Sequence, residues 1–279
     1  MVPSPGWSWS DVDVAVPGPA GRLPGVAMAG FRQRIAGSVD IAMVAHPAIT
    51  VLFDLTGDIV CDARGRRRRG SFVAGLLPGE VRTGGRRGEC LQVRLTPVVA
   101  AAVLGASAEL TGTVASLDEV WGRDAERVEE RLRAAKTWDA RFAIAAEAIG
   151  RRLESRPVDA EVAQAWRRTL AARGAVRVDG LAGEVGWSRQ RLWSRFRAQL
   201  GVTPKRAAGL VRFDHAAHLL AAGHTAASVA ARSGYADQSH LHREVKAITG
   251  TTPTAVATAP WLAIDEVAWP APSRGRVSG

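Results

Sequence analysis

The chain has 279 residues, with 37 Lys and Arg against 27 Asp and Glu. This length suggests two domains of ordinary size, and the hydrophobic fraction of 47% excludes a mostly disordered chain. Two cysteines are too few for a disulfide-dense secreted scaffold or a four-cysteine zinc cluster. The sequence shows neither a secretory signal pattern nor a membrane-spanning apolar run, so we expect a cytoplasmic protein.

The net charge of +10 is unevenly distributed. Residues 1–150 carry 18 basic and 17 acidic side chains, whereas residues 151–259 carry 17 basic and 8 acidic ones. Nine of the ten excess positive charges therefore lie in the second stretch. Such a distribution indicates that one of two domains meets a polyanion.

The front of the chain reads as β-rich. Pro and Gly recur up to about residue 30, which predicts an irregular start. Strand-like runs then predict four strands, and Thr56-Gly57-Asp58 is a plausible hairpin turn between the first two. The strands are expected at Ile49–Leu55, Ile59–Cys61, Ser71–Leu77 and Cys90–Leu95.

Two features of this β-rich part have a functional and a structural interpretation. The arginine-rich run 64–70 could be a nucleic-acid patch, but its flanking glycines favour a solvated turn. Cys61 and Cys90 lie in strand-like sequence, and we interpret them as small core residues rather than a disulfide.

After Pro97 the apolar residues take a helical period. Glu129 and Arg133 add an ion pair at i,i+4 spacing, and Pro157 separates this block from the basic one. We therefore predict an α+β protein with a front domain over 1–155 (β-rich to about 97, helical over 98–155), a second domain over 158–259, and a tail over 260–279. Helices are expected at 98–104, 117–121, 124–135, 138–153 and 158–173.

An internal repeat carries the functional signal. Leu181-Ala182 is followed after three residues by Gly186, and a helical stretch ends at Gly201 before Thr203-Pro204. The same pattern recurs in Val229-Ala230, Gly234, Gly250 and Thr252-Pro253. The first glycines lie 48 residues apart and the second glycines 49, so we expect a second recognition segment that is one residue longer.

This repeat predicts two helix-turn-helix units. In each, a short helix ends at a glycine, which tolerates the left-handed turn, and a second helix begins at a capping residue, Ser188 or Asp237. One apolar stripe of each second helix faces the core, formed by Leu192, Phe196 and Leu200 in the first copy and by Leu241, Val245 and Ile248 in the second. The intervening helix has its own stripe of Leu210, Phe213, Ala217 and Leu220.

The opposite faces carry side chains suited to base edges and phosphates. Trp193 lies close to the apolar stripe, so both packing and base reading remain open for it. His215 and His218 share a helix face, and without a third ligand beyond Asp214 we favour a capped or solvated pair over a metal site. The candidate DNA-binding residues are Gln190, Arg191, Trp193, Ser194, Arg197, Gln238, Ser239, His242, Arg243 and Lys246.

The stretch 158–259 resembles the DNA-binding domain of AraC/XylS-type bacterial transcription regulators, which has two helix-turn-helix units joined by a linker helix. The match rests on the repeat and on Leu210-Val211-Arg212-Phe213, Gly234-Tyr235 and Asp237-Gln238-Ser239-His240. The resemblance places the base-reading positions on Gln190, Trp193, Ser194, Gln238, Ser239 and Arg243. Residues 91–97, Leu117-x3-Trp121-Gly122 and Glu129-x2-Leu132 also resemble the front domain of one AraC-type subgroup.

The resemblance implies a sequence-specific regulator whose partner is double-stranded DNA, with two recognition helices in successive major grooves. It implies a front domain that senses an unidentified small-molecule effector or mediates homodimer formation, and RNA polymerase as a further partner. We expect no enzyme activity, no cofactor, no metal and no membrane. The alternatives are a DNA-alkylation repair enzyme with an AraC-like module, for which Cys61 and Cys90 cannot supply a multi-cysteine zinc site, and a ligand-binding protein without DNA affinity.

Overall fold

The computed structural model describes residues 9–19, 22–35, 39–43, 45–63, 65–77, 81–86, 88–105, 108–153, 158–259, 262 and 264–269. Two antiparallel sheets form its front part. The larger sheet has the order β1-β2-β9-β4-β7-β10 and the smaller one β3-β8-β5-β6. The strands are β1 Val12–Ala15, β2 Val26–Gln33, β3 Val39–Met43, β4 Ile49–Asp54, β5 Val60–Ala63, β6 Arg66–Arg69, β7 Phe72–Ala74, β8 Val81–Gly85, β9 Glu89–Leu95 and β10 Val114–Ser116.

The expected strands β4, β5, β7 and β9 are present, but the expected hairpin between β4 and β5 is wrong. Strand β4 pairs with β7 and β9, whereas β5 pairs with β6 and β8 in the other sheet. The turn instead carries the chain from one sheet to the other. The carboxylate of Asp54 accepts hydrogen bonds from the backbone N–H groups of Thr56, Gly57 and Ile59 at 2.9, 2.9 and 3.0 Å, which stabilises this crossing.

The arginine run is a strand and not a turn. Arg66–Arg69 forms β6, an edge strand that pairs only with β5 among the described strands. Two of its side chains bind carboxylates, Arg68 that of Glu119 at 3.0 Å and Arg69 that of Asp58 at 2.9 Å. A charged edge strand resists pairing with other chains, so this run has a structural explanation.

The helices follow the predicted order, and the α+β class is confirmed. The pair Glu129–Arg133 forms at 2.8 Å, and the expected domain boundary falls mainly on residues 154–157, outside the described residues. No described helix has the length and apolarity needed to span a membrane. The helices are α1 Pro97–Leu104, α2 Leu117–Trp121, α3 Arg123–Ala134, α4 Trp138–Leu153, α5 Ala160–Ala171, α6 Val178–Glu184, α7 Arg189–Leu200, α8 Pro204–Ala221, α9 Ala226–Arg232, α10 Gln238–Thr249, α11 Pro253–Ala257 and α12 Asp265–Ala268.

The main hydrophobic core runs from the larger sheet through α1, α3 and α4 into the helices of the basic half. A smaller apolar cluster joins the two sheets, with Leu52 and Phe72 on one side and Cys61 and Val81 on the other. Helix α1 contacts α7, and a Cβ on Gly201 at the end of α7 would lie only 2.7 Å from the carbonyl oxygen of Ala108. The front part and the first helix-turn-helix unit are therefore packed closely together.

Candidate nucleic-acid interface

Two helix pairs, α6–α7 and α9–α10, repeat the same local geometry. Gly186 and Gly234, in the turns, have φ of 70° and 74°, and Gly201 and Gly250, after the second helices, have φ of 75° and 74°. The extra residue of the second copy does not lengthen its recognition helix, because α7 and α10 both have 12 residues. It lies in the turn instead: the helix cap follows Gly186 by two residues and Gly234 by three.

Both predicted caps are confirmed. The Ser188 hydroxyl accepts a hydrogen bond from the Arg191 N–H at 3.2 Å, and the Asp237 carboxylate accepts one from the His240 N–H at 2.6 Å. Each cap satisfies an otherwise unpaired backbone donor at the end of the helix that would enter a groove.

Replacing Ser188 by Ala should lower the free energy of unfolding by about 1 kcal/mol, since it removes this cap. Urea unfolding monitored by circular dichroism measures the change. Ser194→Ala on the exposed face of the same helix is the matched control and should leave stability within about 0.5 kcal/mol. Equal losses in the two variants would contradict the capping role.

The inward stripes position the two helices as expected. Leu192, Phe196 and Leu200 of α7 are fully buried, as are Leu241 and Val245 of α10. The linker helix α8 buries its own predicted stripe against both units. Each recognition helix is thus fixed in orientation by large apolar side chains, and its other face points away from the core.

All ten candidate DNA-binding residues are exposed on these outer faces. Trp193 is 44% exposed, so it is not a core residue. None of Arg191, Arg197, Arg243 and Lys246 forms an ion pair with a carboxylate within the described part of the chain. By contrast, Arg195 of α7, which is also exposed, binds the carboxylate of Asp159 at 2.8 Å.

Two tryptophans hold arginines of the first unit. The guanidinium carbon of Arg191 lies 4.5 Å from the ring centroid of Trp187, and that of Arg197 lies 5.3 Å from that of Trp193. Cation–π contacts of this kind orient a guanidinium without neutralising its charge. Arg191 and Arg197 are therefore partly ordered and remain available to an anion.

A partly buried ion pair, which was not among the sequence predictions, links the linker helix to the second recognition helix. Arg212 of α8 makes two hydrogen bonds to the Glu244 carboxylate of α10, at 3.2 and 2.7 Å, and the Tyr235 hydroxyl donates to Glu244 at 3.2 Å. Burial, followed by the charge of Glu244, raises the pKa of Tyr235. A signal was available, because Glu244 is the one acidic residue within an otherwise basic or neutral helix.

The family described as "Helix-turn-helix domain" matches residues 181–259 of the chain, the region that contains both units. Residues 181–259 form an AraC-type helix-turn-helix domain. The presence of this AraC-type domain makes the chain a DNA-binding transcription regulator.

No curated protein matches the chain, and the solved structures that resemble it are distant. ToxT from Vibrio cholerae is 11% identical, with 84% of this chain and 98% of that one covered and a TM-score of 0.45. The xylose-binding transcription activator XylR is 21% identical over 42% of this chain and 38% of its own, with a TM-score of 0.32. The AraC-like transcriptional activator CuxR is 15% identical over 69% and 82%, with a TM-score of 0.28.

A cavity of about 150 Å³ lies in the front part, between the two sheets. Its wall combines strand residues with Asp214, from the linker helix of the AraC-type domain, and with a C-terminal segment, Ile264–Trp269. Within that segment, Asp265 binds the guanidinium of Arg94 at 2.9 Å. The ring centroid of Trp269 lies 4.1 Å from the same guanidinium. The cavity therefore adjoins both halves of the protein.

The same aspartate also holds a histidine of the linker helix. The Nε2 of His218 lies 3.1 Å from the Asp265 carboxylate, and its Nδ1 lies 2.8 Å from the Asp214 carbonyl oxygen. The hydrogen bond with Asp265 raises the pKa of His218 to about 9. His215 instead lies 3.4 Å from Arg173, so the two histidines have different partners, and the described residues contain no cluster able to hold a metal ion.

The ion pair between His218 and Asp265 should make stability depend on pH. Because the folded-state pKa of His218 is raised, its contribution is complete below a pH of about 6.5 and is lost as the pH rises through about 9. The neighbouring Asp214, whose pKa burial raises to about 6, titrates below this window. We expect a loss of about 1 kcal/mol between pH ~7 and ~9.5, smaller than the pKa difference alone implies because the imidazole is 40% exposed.

Urea unfolding at both pH values measures this loss, with His218→Gln as the comparison. The variant should lose less stability than the parent chain over the same interval, since glutamine does not titrate. An identical loss in both proteins would assign the pH dependence to other groups.

Proposed function

We propose that the chain binds duplex DNA through α7 and α10, placed by the linker helix in two successive major grooves. The observation that carries this proposal is the pair of equivalent helix faces on which cations lack a described carboxylate partner. Such cations can displace counterions from DNA phosphates. Helix-turn-helix proteins place the second helix of each unit in the major groove.

The exposed side chains divide by chemistry into two sets. Gln190, Ser194, Gln238, Ser239 and Arg243 suit base edges, since arginine pairs with guanine, glutamine with adenine, and serine with either. Arg191, Arg197, His242 and Lys246 suit phosphates. Trp193, exposed beside Arg197, suits apolar contact with a base edge.

Arg243→Ala should weaken binding to the preferred site by about 2 kcal/mol if this residue reads a base. Affinities for that site and for random DNA at a single salt concentration measure the effect. A loss confined to the preferred site marks base reading, whereas an equal loss on both DNAs would show that Arg243 contacts a phosphate. Ala247→Ser on the same helix, exposed in the structure, is the control and should change neither affinity.

We propose that residues 1–155 form the regulatory domain, residues 158–259 the DNA-binding domain, and residues 260–279 a tail. The front domain would bind a small-molecule effector or support homodimer formation, and DNA-bound protein would contact RNA polymerase. The cavity between the sheets supports an effector site. Regulation of chromosomal genes would place the protein in the cytoplasm.

The raised pKa values of the two thiols favour a non-enzymatic role. A repair nucleophile needs a lowered thiol pKa, but burial raises that of Cys61 to about 11 and that of Cys90 to about 12. Neither thiol is suited to attack at neutral pH. This observation argues for the regulator over the alkylation-repair alternative.

Selection of bound sequences from random duplex DNA with the full chain tests the proposed binding mode. Two successive major grooves should yield a site with two conserved blocks about one helical turn, ~34 Å, apart. A single block would contradict simultaneous use of both helices. Absence of enrichment would contradict specific DNA binding altogether.

A further inference from the structure

The cavity between the sheets has the size and lining of a small ligand site. A volume of about 150 Å³ equals that of an engineered apolar cavity known to hold benzene. Phe31, Ile41 and Met43 contribute apolar wall, and Trp9 and Trp269 contribute aromatic rings. A flat ring of six carbons fits a volume of this size.

The charges in and beside the wall cancel. Arg94 and Asp265 form an ion pair at 2.9 Å, and Asp214 lies beside His218, whose pKa is raised so that it carries a positive charge near neutral pH. Among the described side chains, two positive and two negative groups thus balance. His46 also lines the cavity, and burial lowers its pKa to about 3, so its imidazole is neutral.

We propose that this cavity binds an uncharged molecule the size of one aromatic ring, held between the strand residues Ile41 and Thr83 and the C-terminal segment Ile264–Trp269. This inference rests on the proposed function, in which the front domain binds an effector, and it names the chemical class of that effector. A carboxylate or an ammonium would bring an unbalanced charge into a partly buried, balanced cluster, which is unfavourable. A neutral ring gains the apolar contacts without that cost.

The position of the site gives the bound molecule a route to the DNA-binding domain. Asp214 of the linker helix and the C-terminal segment line the space that a bound ring would occupy. That segment in turn binds His218 of the linker helix through Asp265. Occupancy therefore acts on the helix that joins the two recognition units.

Three probes of nearly equal size show whether the cavity prefers a neutral, an anionic or a cationic ligand. Benzyl alcohol, benzoate and benzylamine each carry one substituent on a single ring, and they are neutral, anionic and cationic at neutral pH. Isothermal titration calorimetry on the full chain should give an affinity for benzyl alcohol at least tenfold above that of either ion, about 1.4 kcal/mol. Tighter binding of benzoate would overturn the proposal by making Arg94 an anion site, and tighter binding of benzylamine would overturn it by making Asp214 a cation site.

Cavity-filling variants test whether the ligand binds in this cavity. Ile41 and Thr83 are cross-strand partners, so Ile41→Phe and, separately, Thr83→Leu should each reduce benzyl alcohol affinity at least tenfold. Ile35→Phe is the matched control, because Ile35 is 63% exposed and lies outside the cavity lining, and it should bind like the parent chain. Unfolding curves show which cavity-filling variants retain the fold. A binding measurement on either folded variant is sufficient for the test.

Undiminished binding in a folded, filled variant would overturn the site, and so would failure of all three probes to bind the parent chain at millimolar concentration. DNA affinity of the ligand-free chain is measured separately. Intact DNA binding without any probe binding would reject the site and its ligand class but leave the proposed DNA binding in place, whereas ring binding without DNA binding would reject the proposed function.

Discussion

Raising the salt concentration from ~50 to ~200 mM should weaken binding of the full chain to its preferred DNA site roughly a thousandfold. This expectation follows from the number of outward cations on and near the two recognition helices. Arg191, Arg197, Arg243 and Lys246 are exposed on α7 and α10, and Lys205 and Arg206 are exposed at the start of the linker helix. Five of these cations, all but the base-reading Arg243, with one phosphate contact each give a dependence of about this size. Fluorescence anisotropy with labelled duplex at several salt concentrations measures the slope.

Single substitutions should identify which cations produce that slope. Removing one phosphate contact lowers it by about 0.9, so Lys246→Gln and Arg197→Gln are each expected to do so. Arg195→Gln is a matched control on the same helix, because the Arg195 guanidinium is already bound by the carboxylate of Asp159. A binding constant indifferent to salt, or a slope changed as much by Arg195→Gln, would place the DNA elsewhere on the surface.

The basic half of the fold could be predicted closely because its determinants are local in sequence. Glycines with positive φ, caps such as Ser188, and apolar residues at helical spacing each act within one or two turns. Two copies in register supplied independent evidence for the same unit. The one error, an extra residue assigned to the recognition helix, arose because spacing alone does not separate a longer helix from a longer turn.

The front half was less predictable because its determinants are distant in sequence. Strand β2 pairs with β9, joining residues such as Met28 and Val93, and no short-range pattern signals that pairing. Strands β1 and β2 were not predicted, because they lie in a glycine- and proline-rich stretch that indicates irregular structure. The expected hairpin failed for a related reason, since a tight turn after Asp54 serves equally well to cross between sheets.

In the candidate site, too, features with local determinants could be predicted from the sequence and features with distant determinants could not. Helical periodicity placed all ten candidate residues on exposed faces, where the structure has them. Their contacts with DNA remain predictions, because exposure shows availability alone. The ion pair of Arg212 with Glu244 joins residues 32 positions apart, and the cavity joins strand residues to Asp265, so neither could be derived from local pattern.

Replacing Arg212 by Met should lower the free energy of unfolding by about 3 kcal/mol and weaken specific DNA binding. The two side chains of the Arg212–Glu244 pair are each only 19% exposed, and removing Arg212 takes the guanidinium away from a largely buried carboxylate. Glu244 would keep the Tyr235 hydroxyl as a donor but lose both bonds from the guanidinium. Because Glu244 lies on α10, the loss loosens the second recognition helix against its support.

A double variant distinguishes the contribution of the ion pair from the contribution of side-chain packing at the same contact. In Arg212→Met/Glu244→Leu both charges are gone and apolar volume remains, so most of the lost stability should return, as measured by urea unfolding. Glu244→Leu alone should be destabilising, since it leaves the Arg212 guanidinium without its carboxylate partner. If the double variant loses the sum of the two single losses, the residues act independently and the pair does not hold α10. If stability returns but specific DNA affinity does not, the pair sets the orientation of α10 beyond its contribution to folding.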